Sequence, residues 1–228
     1  MDNSISFQSR IRFVDHYEFY KTVGRNVLNL KNIEHDGEYI MQTPLFRSSN
    51  IKTCTGGGLV APHREACGFH IFHGEYFNRN MDKVFNKDSC QVPAERALVI
   101  GGKKRPNAKY SLPNFRKIRK IISQRVKYIS EFKEHRYKYS KTDFHYSLDN
   151  DTWTILTQYA PKDKYLDVTS LKQLKKVFKK IKIADGDKLF IQDKEILPTD
   201  CPRIFSKKRV TRGFINKLEQ KFSKLFNG

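Results

Sequence analysis

Short apolar segments separated by turn-forming residues fill the stretch from residue 39 to residue 73. The segments YIM, GLVAP and GFHIF are interrupted by Pro44, by the polar cluster at 48–50 and by the glycine triplet at 56–58. Apolar runs of this length, bounded by glycine, proline and small polar residues, are typical of strands joined by tight turns. The pattern therefore predicts several neighbouring strands and limits the fold to classes that contain a sheet.

A strand followed by a helix is predicted further along the chain. The run ALVIGG at 97–102 is apolar and ends in paired glycines, and residues 111–126 carry apolar side chains at helical spacing. Ser111 or Asn114 can cap the start of this helix, with Pro113 in its first turn. The order strand, glycine turn and amphipathic helix is typical of an α/β unit.

Weaker patterns predict the remaining elements. They are a helix near 14–27, a strand or helix at 128–139, a strand at 152–159, a helix at 169–181, a hairpin or strand at 188–197 and a helix at 211–226. Together these patterns predict an α+β fold, with β-sandwich-like mixed sheet layers flanked by helices. The predicted units are a helical and loop segment at 1–38, an α/β core at 39–161 and a basic helical C-terminal extension at 162–228.

Charge and cysteine content restrict the environment of the protein. Its 228 residues include 44 Lys and Arg against 24 Asp and Glu, a net charge of +20, so the surface should attract polyanions of some kind. Four cysteines are too few for a disulfide framework, and we expect them to be reduced. There is no signal-peptide layout and no apolar run of about 20 residues. We expect a protein that works in a cytosol, which includes a host cytosol reached without a cleavable signal peptide.

Residues with catalytic potential are concentrated between Cys54 and His73. A nucleophilic cysteine needs an imidazole to take its proton and backbone N–H groups to bind the oxyanion that forms. Cys54 is followed by Thr55 and by Gly56, Gly57 and Gly58, which are predicted to form an oxyanion or substrate-binding turn. His70, sixteen positions downstream on the segment GFHIF, is the predicted partner of Cys54. Because strand side chains alternate, His73 should face away from His70.

The order of these features resembles that of the chemoreceptor glutamine deamidase CheD and of the deamidating domain of cytotoxic necrotizing factors. Those enzymes have a Gly-Ser-Cys turn, a Gly-Gly-x-x-His strand, a second Gly-Gly and then a helix, and the likeness covers about residues 45–130. Here Lys52 and Thr53 precede Cys54, and the glycines follow it. The family's third residue, which orients the histidine, has candidates by position in Ser48, Ser49 and Thr53.

The resemblance implies a protein-glutamine deamidase of bacterial effector or toxin type. Cys54 would attack the glutamine carboxamide, His70 would move the proton, and water would hydrolyse the thioester, with no cofactor or metal. An amine in place of water would make the enzyme a transglutaminase. The expected partner is a protein substrate, such as a host small GTPase or another host protein. The basic helices at 169–181 and 211–226 add an anionic membrane surface as a further expected partner.

Other interpretations of the same residues stay open. His63, Cys67, His70 and His73 are metal-ligand types at close range, although their spacing matches no common zinc finger. The cysteines and histidines could instead be ordinary core residues. Tyr and Lys alternate at 125–141 as in single-stranded nucleic-acid binders, but no recognised motif accompanies them, and no specific nucleic acid is expected. A non-enzymatic basic protein that binds nucleic acid or an acidic partner is therefore the alternative function.

Overall fold

The strands of the computed structural model form two mixed sheets. The structure describes residues 8–23, 27, 38–43, 45–61, 64–72, 92–104 and 108–206. The first sheet, sheet A, has the strand order β13-β12-β1-β9-β8-β3, with β10 also paired to β9. Its strands are β1 (Arg10–Phe13), β3 (Leu45–Ile51), β8 (Tyr139–Ser147), β9 (Thr152–Ala160), β10 (Leu166–Asp167), β12 (Lys188–Ile191) and β13 (Lys194–Ile196).

The second sheet, sheet B, has the strand order β11-β7-β6-β4-β5-β2. Its strands are β2 (Glu38–Gln42), β4 (Thr55–Ala61), β5 (Glu65–Ile71), β6 (Arg96–Gly101), β7 (Tyr128–His135) and β11 (Phe178–Lys182). The described helices are α1 (His16–Thr22), α2 (Ser111–Ile122) and α3 (Leu171–Val177). Strands β6 and β7 are parallel and α2 connects them, whereas β4 is antiparallel to both of its neighbours.

Alternating apolar side chains bring the two sheets face to face. On β9, Trp153 and Ile155 point into the layer between the sheets, where they belong to one core cluster with Val60 and Leu98 of sheet B. Because sheet A contributes mostly aromatic rings here and sheet B contributes small residues, the two faces interdigitate. The Phe46 ring packs edge-on against Trp153, with centroids 5.8 Å apart.

Helices cover the outer face of each sheet. The apolar stripe of α2, with Phe115, Ile118 and Ile122, packs on the side of sheet B that carries Phe69 and Val99. On the outer side of sheet A, α1 contributes Phe19 to a smaller cluster around Leu156. The predicted fold class, an α+β sandwich of mixed sheets flanked by helices, is confirmed.

A buried ion pair ties the loop before β12 to sheet B. The Arg96 guanidinium donates to Asp187 Oδ1 at 2.7 Å, and Ser130 Oγ donates to Asp187 Oδ2 at 2.5 Å. Burial raises the pKa of Asp187 to about 6, an effect that Arg96 and then the Ser130 hydroxyl oppose. The Arg96 guanidinium also lies over the Tyr128 ring at 4.4 Å.

Several predicted elements differ from the structure. The predicted helix at 14–27 is shorter, because residues 10–13 form β1 and α1 begins at His16 behind the Asp15 cap. The polar cluster at 48–50 was predicted as a turn but belongs to β3, where a bulge near Asn50 accommodates it. The stretch 128–139, left open between strand and helix, contributes strand β7.

The predicted helix at 169–181 ends at Val177, and the chain continues as β11 because pairing with β7 outweighs the local helical spacing. The predicted C-terminal extension thus supplies β10 to β13, so its described part is integrated into the two sheets. The predicted helix at 211–226 lies outside the described residues. Within the part of the chain that the structure describes, no helix is long and apolar enough to cross a membrane.

Candidate active site

Ser48 and His70 meet in the layer between the two sheets. Ser48 lies on β3 of sheet A and His70 on β5 of sheet B, and each is 1% exposed. The Ser48 Oγ atom lies 2.7 Å from His70 Nδ1, within hydrogen-bonding distance. A hydroxyl at this nitrogen fixes the orientation of the imidazole ring, and when Nδ1 carries the proton, Nε2 is left as the basic nitrogen.

Cys54 immediately precedes β4, the strand that pairs with the strand carrying His70. Gly56 is paired directly with His70, and Cys54 precedes Gly56 by two residues. If the alternation of side chains along β4 is extended by one residue, Cys54 falls on the same side of sheet B as His70, in a diagonal relationship. Cys54 is 7% exposed, whereas Cys67 is fully buried on the opposite side, in the core beneath α2.

The glycine triplet has a packing role in the centre of β4. A Cβ atom on Gly56 would lie 2.2 Å from Ile51 Cδ1, and one on Gly58 would lie 2.8 Å from the Trp153 ring. Gly57 has a φ of 152° and sits against the Leu98 carbonyl, where a side chain would collide with backbone. Gly56 and Gly58 therefore let the side chains of sheet A approach sheet B closely, while Gly57 allows close packing within sheet B.

The placement of the triplet does not fit its predicted role in oxyanion binding. Strand β4 pairs with β5 on one side and β6 on the other across all three glycines. A strand with neighbours on both sides uses its N–H groups in the two ladders, so these amides do not point at a bound substrate. Thr55 is buried on the side of sheet B opposite His70, and its Oγ1 has no hydrogen-bond partner among the described residues.

The first turn of α2 joins the segments that carry Cys54 and His70. Ser111 Oγ donates to the Thr53 carbonyl at 2.5 Å and accepts from the Lys103 amide at 2.8 Å. Asn114 Nδ2 donates to the Phe72 carbonyl at 3.3 Å. The positive end of the α2 dipole thus lies within one residue of Cys54, an arrangement that favours negative charge there.

Sequence reasoning missed the roles of Ser111 and Asn114. Both were interpreted as possible helix caps, but the N-cap position is Tyr110, which makes no side-chain capping bond. Their hydrogen bonds instead reach Thr53 and Phe72, 58 and 42 positions away. A local pattern carries no signal for such distant partners.

The other predicted site residues are placed separately from the Ser48–His70 pair. Ser49 follows Ser48 on β3 and faces the other side by alternation, and Thr53 contacts α2 through its carbonyl. His63 and His73 lie outside the described residues. Cys67 and His70 point to opposite faces of β5, and the described residues contain no group of three potential metal ligands.

A cationic surface borders the start of α2. A pocket of about 710 Å³ is lined by Lys103, Lys104, Lys109, Arg116 and Lys179, with Glu134 as its single acidic member among the lining residues. The pKa of nearby Lys133 is lowered, first by burial and then by the charges of Arg116 and Lys180. Part of the net charge of the protein is therefore concentrated beside the first two turns of α2.

Comparison of the sequence with models of known protein families and with curated proteins gave no match.

Proposed function

We propose that the protein is a thiol-dependent amidohydrolase that deamidates glutamine side chains of other proteins. Cys54 is the nucleophile, His70 the general base and acid, and Ser48 the residue that positions His70. The observation that carries the proposal is the buried Ser48–His70 hydrogen bond, with Cys54 immediately before β4, the strand paired with that of His70. The resemblance of residues 45–130 to the CheD deamidases supports the same assignment of roles.

The reaction proceeds through a thioester. His70 Nε2 takes the proton from Cys54 Sγ, and the thiolate attacks the carboxamide carbon of the glutamine. His70 then returns the proton to the nitrogen as the C–N bond breaks, and ammonia leaves. Water attacks the thioester with His70 as base, the C–S bond breaks, and glutamate and the free thiol are released. The two steps together convert glutamine and water into glutamate and ammonia, and they require no cofactor.

Ser48 contributes by holding the imidazole in one orientation. With Nδ1–H donating to the hydroxyl, Nε2 carries no proton and is the nitrogen that would take one from the thiol. A neutral hydroxyl stabilises the imidazolium that forms during the reaction less than a carboxylate does, so the role of Ser48 is mainly geometric. The tight burial of both residues supports that role because neither side chain has room to change rotamer.

The cationic surface beside α2 supports a protein substrate. Lys103 is 3% exposed and donates to the Lys138 carbonyl, and Lys179 lies 3.4 Å from Glu134. The charges of Lys104, Lys109 and Arg116 would therefore provide most of the electrostatic attraction for an acidic segment next to the target glutamine. A host protein that carries such a segment is the proposed partner. The same surface also favours a second candidate function, in which the protein binds an acidic partner without catalysis.

The proposal is tested by incubating the protein with a soluble extract of eukaryotic cells and mapping glutamine-containing peptides by mass spectrometry. Deamidation adds about 1 Da to the target peptide and releases ammonia. The mass increase should disappear with the Cys54→Ala variant. It should persist with Cys67→Ala, the matched control, which removes a thiol from the face of sheet B that packs beneath α2. Equal peptide masses with wild type and Cys54→Ala would leave binding without catalysis as the better account.

A further inference from the structure

A second pocket lies on the outer face of sheet A, away from the layer that holds His70. It has a volume of about 430 Å³, within the range of small-molecule sites. Strands β1, β8 and β9 form its floor, and Thr22 at the end of α1 lies at its side. The residues that matter for its chemistry are Arg10, Arg12, His145, Asn150, Thr152 and Thr154.

His145 is an unusual member of this pocket. It is 4% exposed, and neither ring nitrogen has a hydrogen-bond partner in the described part of the chain. Buried polar side chains in folded proteins nearly always have such a partner, because an unsatisfied buried donor or acceptor is destabilising. The pKa of His145 is lowered to about 4, first by burial and then by the neighbouring charge of Arg47. The ring is therefore neutral near pH 7, with one donor and one acceptor to offer.

The charges that line the pocket are all positive. Arg10 and Arg12 line it, and no Asp or Glu is among its lining residues. Arg12 has acidic partners outside the lining, Asp193 at 3.0 Å and Glu18 at 3.8 Å, while the Arg10 guanidinium lies over the Phe190 ring at 4.8 Å. Within the part of the chain that the structure describes, no carboxylate forms an ion pair with Arg10.

We propose that this pocket binds a small molecule that carries a phosphate or carboxylate group. The anionic group would lie against Arg10 and Arg12, and His145 with the threonine hydroxyls would hydrogen-bond the rest of the molecule. The pocket is too small for a folded partner or a nucleic-acid strand, and its floor is a rigid sheet. The proposal is independent of the thiol chemistry because the two sites lie on opposite faces of sheet A.

The test is a titration of the full chain, labelled with ¹⁵N-histidine, with inorganic phosphate and separately with succinate. Ionic strength is held constant with NaCl at pH 7, and the ring signals of each histidine are followed by NMR. Saturable shifts of His145 are expected with one of the two anions, which identifies the ligand as a phosphate or a carboxylate compound. His135 is the internal control, since it is equally buried but hydrogen-bonds Thr142 at 3.0 Å.

Two variants separate a built site from general charge attraction. Arg10→Gln should weaken binding about tenfold, the effect of losing one charge-assisted hydrogen bond. Arg203→Gln removes the same charge from an exposed position and should leave the affinity unchanged. The proposal is overturned if neither anion shifts His145, if His135 shifts in parallel, or if the two variants weaken binding equally.

Discussion

Ser48 Oγ and His70 Nδ1 lie 2.7 Å apart although the two residues belong to different sheets. The bond crosses the centre of the sandwich, so it depends on the spacing between sheet A and sheet B. The catalytic geometry that we propose is thus a property of the whole fold and not of one loop. The predictions below test the site, the packing that supports it and the buried charges.

Removing the Ser48 hydroxyl should impair catalysis while leaving the fold intact. Ser48→Ala is expected to lower kcat/KM for ammonia release about tenfold to a hundredfold, because the imidazole loses its fixed orientation. The pH profile should also change on the limb that reports His70. Ser49→Ala is the matched control on the other face of β3, and Ser48→Thr, which keeps the hydroxyl, should recover part of the rate. Equal rates for Ser48→Ala and Ser49→Ala would refute the positioning role.

Enlarging Gly68 should destabilise the sandwich. A Cβ atom there would lie 2.5 Å from Phe46 Cδ2, so Gly68→Ala should lower the free energy of unfolding by about 1–3 kcal/mol. Urea denaturation of Gly68→Ala, Phe46→Leu and the double variant measures the coupling between the two positions. If Gly68→Ala is as destabilising in the Phe46→Leu background as in the wild-type protein, the clash with Phe46 is not the cause of the destabilisation.

Acid should destabilise the protein through two buried histidines. Burial lowers the pKa of His145 to about 4 and that of His135 to about 3, both below the usual 6.5. At these two sites the unfolded chain therefore binds more protons than the folded chain, and stability is lost as pH falls below about 6.5. Asp187, whose pKa is raised to about 6, acts in the opposite direction and offsets part of this loss. Each histidine should account for about 2 kcal/mol at pH 5.

Urea midpoints between pH 7 and pH 5 check this dependence, in a buffer without phosphate or carboxylate. His145→Gln should flatten the pH dependence, and His16→Gln, at an exposed position of α1, should not. A wild-type protein whose stability is constant from pH 7 to pH 5 would contradict the account of these two residues.

The buried pair of Arg96 and Asp187 should respond unequally to substitution. Asp187→Asn leaves the Arg96 guanidinium buried without its anion, and because arginine keeps its proton this should cost about 3–5 kcal/mol of unfolding free energy. Arg96→Gln should cost less at pH 7, since burial already raises the pKa of Asp187 to about 6 and the carboxylate can take up a proton once Arg96 is gone. Thermal unfolding of both variants measures the order, and a greater loss in Arg96→Gln would contradict it.

The apolar spacing of the sequence predicted the strands and the helix that have a regular local pattern. The strands around residues 39–41, 58–61 and 97–101 have clear apolar spacing and are present, and the helix predicted at 111–126 is present over 111–122. β1 was missed because four residues with two arginines carry little signal, and its place between β9 and β12 depends on parallel pairing with distant strands. β11 was missed because its lysine-rich sequence continues a helical pattern.

Only part of the candidate site could be predicted, because local sequence does not show which distant residues the fold brings together. Cys54 and His70 were selected as candidates from residue type and spacing, and Ser48 was one of three candidates for the third residue that sequence position alone could not separate. The choice of Ser48 follows from the bulge in β3 and from the distance between the sheets, both of which are long-range properties. The glycine triplet was misread because glycine allows close packing as well as turns, and only the facing aromatic rings distinguish the two roles.

The most direct test of the central claim is the rate at which iodoacetamide alkylates Cys54 at pH 7, followed by peptide mass mapping. Cys201 is the internal reference because it is 6% exposed, close to the 7% of Cys54. The Cys54–His70 pair predicts that Cys54 reacts at least about tenfold faster than Cys201 and that His70→Asn removes the difference. Equal rates in the wild-type protein, or a fast Cys54 that persists in His70→Asn, would contradict it.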